Sequence, residues 1–166
     1  MVHRLAGHTS LGWDMDETLV NGPHSVKWRT FVKENPHLDH WVVTFRSKNE
    51  ALQVWDELES EYMCPLDRSL FKGLLFMPDR VRLPFDTLPT CLANYDFASE
   101  PSTKVLRALA HYKLTLEDLK ARRKLVHDWK ATACVELGAT VMVDDLEHVV
   151  KNGCVEHGVV FVNSLE

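Results

Sequence analysis

The chain has few cysteines and no pattern among them. Cys64, Cys91, Cys134 and Cys154 include no CxxC pair, and each lies in or beside an apolar segment. That reads as buried free thiols in a reducing compartment, and it excludes a disulfide scaffold. His37 and His40 have no third ligand near them in sequence, which argues against a zinc site. Positive charge is also in deficit. With 19 Lys and Arg against 24 Asp and Glu, the formal net charge is -5, so a general nucleic-acid binder is not expected. No apolar run approaches the ~20 residues that span a bilayer. The opening MVHRLAGHTSLGW lacks the apolar core of a signal peptide, roughly 7–15 residues long. A cytoplasmic protein with no membrane partner is the expectation. Repeats and low-complexity tracts are absent.

What remains is ordinary globular composition, with 45% hydrophobic and 26% charged residues in a chain of 166. One domain spanning residues 1–166 is expected, large enough to fold without a metal or disulfide. Five segments read as strands: Thr9–Asp14, His40–Phe45, Gly73–Met77, Ala139–Asp144 and Gly158–Asn163. Apolar runs such as WVV, LLF, VMV and VVFV suit strands covered on both faces, as in a parallel sheet.

Helical periods fill the gaps between them. Ser47 and Glu50 form a capping box before a stripe of Ala51, Val54, Trp55, Leu58 and Tyr62. A second helix after Pro101 carries Val105, Leu106, Leu109 and Tyr112. Thr115 to Leu137 is a third region, stopped by Gly138, either one helix or two broken near His127 and Asp128, where Asp128 could cap a fresh start. A short helix, Leu146 to Lys151, precedes the last strand. Strands alternating with helices make an α/β layered domain. Pro78, Pro84, Pro89 and Pro101 mark Pro78–Ser102 as an irregular excursion over the sheet edge. The five tryptophans read as core, with Trp28 a candidate for a flap over the site.

Carboxylates cluster where strands end. In WDMDETL, Asp14 and Asp16 are one residue apart, so both could converge at the carboxyl edge of the sheet. A divalent cation or a shared proton would relieve their repulsion. Asp144 and Asp145 close the fourth strand. Hard oxygen ligands from two strand ends suit Mg²⁺, although either pair alone could merely cap the following turn. Thr44 ends the second strand before a capped helix start, which makes an anion site. Lys130 lies on the helix that feeds the fourth strand and could reach a phosphate and a carboxylate.

DMDETL, Thr44, Lys130 and the Asp-Asp after VMV resemble, in order, the four motifs of the haloacid dehalogenase-like (HAD) hydrolase superfamily, over Thr9 to Asn163. The resemblance implies a Rossmann-like five-stranded parallel sheet of order 5-4-1-2-3 and an aspartyl-phosphate mechanism. It makes Asp14 the nucleophile and Asp16 the general acid/base, with the Asp16 carbonyl a Mg²⁺ ligand. Thr44, Phe45, Arg46 and Lys130 would bind substrate. Asp14, Asp16, Asp144 and Asp145 would hold the metal, Asp145 directly or through water. Glu17 stands where many members have Gly, which puts the shape of that turn in question.

A dehalogenase would need neither metal nor second Asp, so the implied activity is a phosphatase. The short interval between Asp16 and Phe45 leaves no room for a large first cap; residues 78–126 could hold a small lid. TFRS and VDDLEHVV are similar to the phosphatase domain of phage polynucleotide kinase-phosphatases. A Mg²⁺-dependent phosphatase of nucleotides or other small phosphorylated metabolites is the first reading. A polynucleotide end (3'- or 5'-) phosphatase and an inactive binding or regulatory protein are the alternatives. Lys120, Arg122, Arg123 and Lys124 could form a rim that steers phosphorylated substrates, or a solvated helix face. Arg80, Arg82, Phe85, Tyr95 and Phe97 are candidates to stack on a base and contact a sugar or second phosphate.

Overall fold

Every strand ends at the same edge of one sheet. The computed structural model describes residues 4–166. Its sheet holds β1 (Ser10–Trp13), β2 (Asp39–Thr44), β3 (Phe71–Phe76), β4 (Val141–Asp144) and β5 (Val160–Asn163), ordered β3-β2-β1-β4-β5 with every pairing parallel. This is the expected order read from the other side. The strands are shorter than, or offset from, the apolar runs, because Asp14 and Phe45 already turn away from the ladder.

Alternate side chains on each strand face opposite ways, and each face is covered. Leu11, Trp13, Val42, Val141, Val143 and Val162 join a cluster under α1 (Ser25–Glu34) and α2 (Ala51–Ser60), which add Trp28, Val32, Val54 and Leu58. Val43 and Met142 meet α6 (Leu116–Leu137) and α7 (Glu147–Glu156) on the other face, through Val126, Trp129, Cys134, Val150 and Cys154. Gly12 makes that approach possible, since a Cβ there would sit 2.7 Å from the Cys134 sulfur. The result is a helix–sheet–helix sandwich.

The long helix α6 sets up the site. Its 22 residues measure about 33 Å, against about 13 Å for the four residues of β4. It runs antiparallel to β4 and ends at Gly138, whose φ of +68° closes the last turn. Its N-terminal half therefore projects past the carboxyl edge of the sheet. There it carries α3 (Asp79–Asp86), α4 (Thr90–Ala93) and α5 (Thr103–His111) around a separate small core of Leu88, Leu92, Tyr95, Val105, Leu109 and Leu119.

Several expectations need correction here. Pro78–Ser102 is not an irregular excursion. Pro78 and Pro89 sit at helix N-caps, where the missing N–H costs nothing, and only Pro84 lies inside a helix. The break near His127 and Asp128 does not occur, because Asp128 pairs with Lys124 one turn back and the helix continues. The last helix runs to Glu156 rather than Lys151. The Ser47–Glu50 capping box forms, but it caps a 3-10 turn that leads into α2. Tyr62 falls beyond the end of α2 and is 98% exposed, while Leu106 on α5 and Tyr112 at its C-cap are also exposed. Trp28 is no flap: it is fully buried, and its Nε1 donates to the Ser164 carbonyl at 2.9 Å. Trp41 and Trp55 are only partly buried.

Candidate functional site

β1 has neighbours on both sides that connect in opposite directions, so a crevice opens at its carboxyl end. The chain leaves β1 at Asp14, whose N–H still donates to the Val143 carbonyl of β4 at 2.9 Å. Beyond it, Glu17 adopts φ of +55°. The turn thus needs a left-handed residue, and Glu17, which is not glycine, bears that cost. Leu19 and Val20 then donate to the Met15 carbonyl and close a compact loop. Thr18 fastens this loop to the C-terminal segment by donating its hydroxyl to Ser164 Oγ at 3.0 Å.

Lys130 reaches the crevice from α6. Its side chain is fully buried, and Nζ lies 2.5 Å from Asp14 Oδ1 and 2.6 Å from Asp144 Oδ2. Asp144 also accepts from the Leu146 N–H through Oδ1, so it caps the next turn while gripping the lysine. Asp145 completes a group in which single oxygens of Asp14, Asp144 and Asp145 all lie within 4.8 Å of one another.

Three carboxyls face one ammonium. Burial pushes the Asp14 carboxyl up to about 8, with Lys130 opposing and Asp144 adding to the rise. Burial, then Asp144, also raises Asp145. Burial opposes the charge on Lys130, but Asp14 and Asp144 together outweigh it and raise that pKa. The cluster is short of positive charge. A hard dication with oxygen ligands would supply it, and the donor set fits one.

The other expected residues sit around this centre. Thr44 is fully buried at the end of β2, its Oγ1 accepting from the Arg46 N–H at 3.2 Å. Phe45 lies with its ring 4.2 Å from Lys130 Nζ and tilts against Trp129. Arg46 folds back toward the carboxyl edge and takes both oxygens of Asp16, at 3.0 and 2.5 Å. Its remaining contacts go to both oxygens of Glu57. Asp16 therefore stands outside the three-carboxyl group, facing Arg46. Nothing in the sequence marks Glu57 for this contact, since a helix glutamate eleven residues after Arg46 carries no local signal.

Beside this centre is a cavity of about 440 Å³ lined by Asp16, Phe45, Arg46, Met77, Arg82 and Phe85, with Ser47, Glu50, Asp86 and Val126. Three of the expected substrate contacts lie elsewhere. Tyr95 and Phe97 stack edge-to-face within the small helical core, Tyr95 donating to the Ser99 carbonyl. Arg80 lines a groove on the far side of α3, with Leu125 and Trp129. The basic run is also spent internally. Arg122 donates to the Pro84 carbonyl, Arg123 to the carbonyls of Leu92, Ala93 and Tyr95, and Lys124 pairs with Asp128 and Glu156. Except for the exposed Lys120, these residues fasten helices together rather than form a rim. His40 is buried, accepting from Trp13 Nε1 at 3.0 Å.

None of the described helices is long and apolar enough to cross a membrane. No family model and no curated protein matches the chain. A solved structure of an uncharacterized protein from Corynebacterium glutamicum is similar at 16% identity, with a TM-score of 0.43, over 95% of this chain and 85% of that one.

Proposed function

We propose that the chain is a Mg²⁺-dependent phosphomonoester hydrolase of the haloacid dehalogenase-like kind, working through an aspartyl-phosphate on Asp14. The observation that carries this reading is the placement of Lys130 Nζ between Asp14 and Asp144 at the carboxyl edge, with Asp145 adjoining. Asp14, Asp144 and Asp145 would hold the metal, together with the Asp16 carbonyl that the resemblance adds. When bound, Mg²⁺ supplies positive charge that neutralises phosphoryl oxygens and keeps the carboxyls ionised.

The chain's own groups divide the chemistry. An Asp14 carboxylate oxygen attacks phosphorus, forming an acyl-phosphate as the bond to the ester oxygen breaks. Lys130 fixes that carboxylate and neutralises charge gathering beside it. Asp16 gives its proton to the leaving alkoxide. A water then attacks phosphorus, Asp16 takes the water's proton, and Asp14 leaves as a carboxylate. For this work Asp16 must release at least one Arg46 nitrogen. In this reading the Thr44 hydroxyl, at the end of β2, would donate to a phosphoryl oxygen.

The test is hydrolysis of p-nitrophenyl phosphate by metal-stripped protein before and after Mg²⁺ is added. Activity that is absent without metal and restored by Mg²⁺, but poorly by Ca²⁺, is expected. Full turnover in excess chelator would contradict the proposal.

A further inference from the structure

Taking the phosphatase reading as its premise, we infer that the leaving group is uncharged and presents an apolar face, as a nucleoside does, and that polyanionic esters are poor substrates. The cavity beside the cluster is where a leaving group would lie. Phe45 connects the two, since its ring touches Lys130 and also lines the cavity. Phe45, Met77, Phe85 and Val126 give one side of it an apolar surface from three separate elements: the segment after β2, the segment around α3 and the helix α6. Such a surface suits a base or another flat ring better than a bare polyol.

The charges argue against a second phosphate. The lysines and arginines that line the cavity are Arg46 and Arg82. Arg46 is held by Asp16 and Glu57, and Arg82 by Asp79 at 2.9 Å and Asp86 at 2.7 Å. Each guanidinium thus already faces two carboxylates, and Glu50 adds a further acid at the wall. A depression on the other flank of the cluster, beside Asp145, repeats the pattern, its one lysine, Lys151, being bonded to Glu147. A transferring phosphoryl group would meet Lys130 and the positive charge a bound metal would supply, whereas an additional phosphate would meet surplus negative charge. The nearby basic run offers no relief, because Arg122, Arg123 and Lys124 are bonded within the protein. Nucleic-acid ends, which bring a chain of phosphates, fit this surroundings poorly.

The experiment compares kcat/KM at low and high salt for four esters: p-nitrophenyl phosphate, a nucleoside 5'-monophosphate, the same nucleoside 3',5'-bisphosphate, and glycerol phosphate. A 3'-phosphorylated oligonucleotide is the fifth arm. The monophosphate should exceed the bisphosphate and the oligonucleotide by about tenfold at low ionic strength, with the gap shrinking as salt screens the acids. It should also exceed glycerol phosphate. Paired replacement Asp79→Asn with Asp86→Asn frees Arg82 and should raise the bisphosphate relative to the monophosphate. If the bisphosphate or the oligonucleotide is hydrolysed as well as the monophosphate, or glycerol phosphate is preferred, the inference is wrong while the phosphatase reading stands. If p-nitrophenyl phosphate is also untouched, both fall.

Discussion

Lys130 Nζ and Asp14 Oδ1, 116 residues apart in sequence, meet at 2.5 Å inside the protein, and Asp144 holds the same ammonium from the neighbouring strand. The contact ties α6 to the ends of β1 and β4. It also fixes one oxygen of Asp14.

Lys130→Met keeps most of the side-chain bulk and removes the charge. Asp14 and Asp144 then face each other unpaired, so metal-free protein should lose about 3–5 kcal/mol of stability. Chemical denaturation with and without Mg²⁺ checks this. A loss that Mg²⁺ partly repairs is expected, with activity abolished in both conditions. Unchanged stability would show that the buried contact contributes nothing.

Proton and metal should compete for the carboxyl cluster. Folding raises Asp14 from the ordinary 3.8 to about 8, and Asp145 moves the same way. Between those values the folded state binds more protons than the unfolded one, so these groups make metal-free protein less stable as pH rises through that window. Mg²⁺ requires the ionised forms, so its affinity and its stabilising shift should grow from pH 6 to pH 8.5. Thermal melts across that range, with and without Mg²⁺, provide the measurement. A Mg²⁺ shift that is the same at both ends would contradict it.

Arg29 is fully buried and donates to three carbonyls. They belong to Cys64 at 2.6 Å, Leu19 at 2.8 Å and Leu58 at the end of α2. The Leu19 bond holds the loop that follows the two aspartates. Arg29→Met removes the side-chain donor from all three carbonyls, of which Leu58 keeps the Leu66 N–H at 2.9 Å, and should cost about 3 kcal/mol. Arg29→Lys should also destabilise, because a compact ammonium cannot reach all three. Urea titrations of both variants test this; a loss below about 0.5 kcal/mol in either would refute it.

The thiols should react in a fixed order. Burial pushes Cys134 and Cys154 up to about 12, whereas Cys91 is partly exposed. At pH 8 a disulfide reagent should label Cys91 in the folded protein and reach Cys134 and Cys154 only after unfolding. Rapid labelling of Cys134 in the native state would show that the α6 packing is wrong.

The parts legible in sequence are those with a local cause. The ends of β1 and β4 are marked by a carboxylate after an apolar run, and Gly138 marks the end of α6 because a left-handed residue closes that turn. Asp14, Asp144 and Lys130 could be placed because parallel strands deliver their ends to one edge. The helices of residues 79–93 leave no clear signal in sequence, because Pro78 and Pro89 look the same in a loop as at an N-cap. The Arg46–Asp16–Glu57 bonds and the Arg123 carbonyl contacts were hidden for another reason. Long cationic side chains choose partners across the tertiary structure, and spacing along the chain does not record that choice.

The central claim is that Asp14 is a nucleophile rather than a structural acid. Turnover of p-nitrophenyl phosphate by purified, folded Asp14→Asn with saturating Mg²⁺ tests it most directly. An amide keeps the size but cannot attack phosphorus, so the rate should fall by about three orders of magnitude or more. Retention of more than about a tenth of the wild-type rate would contradict the covalent mechanism.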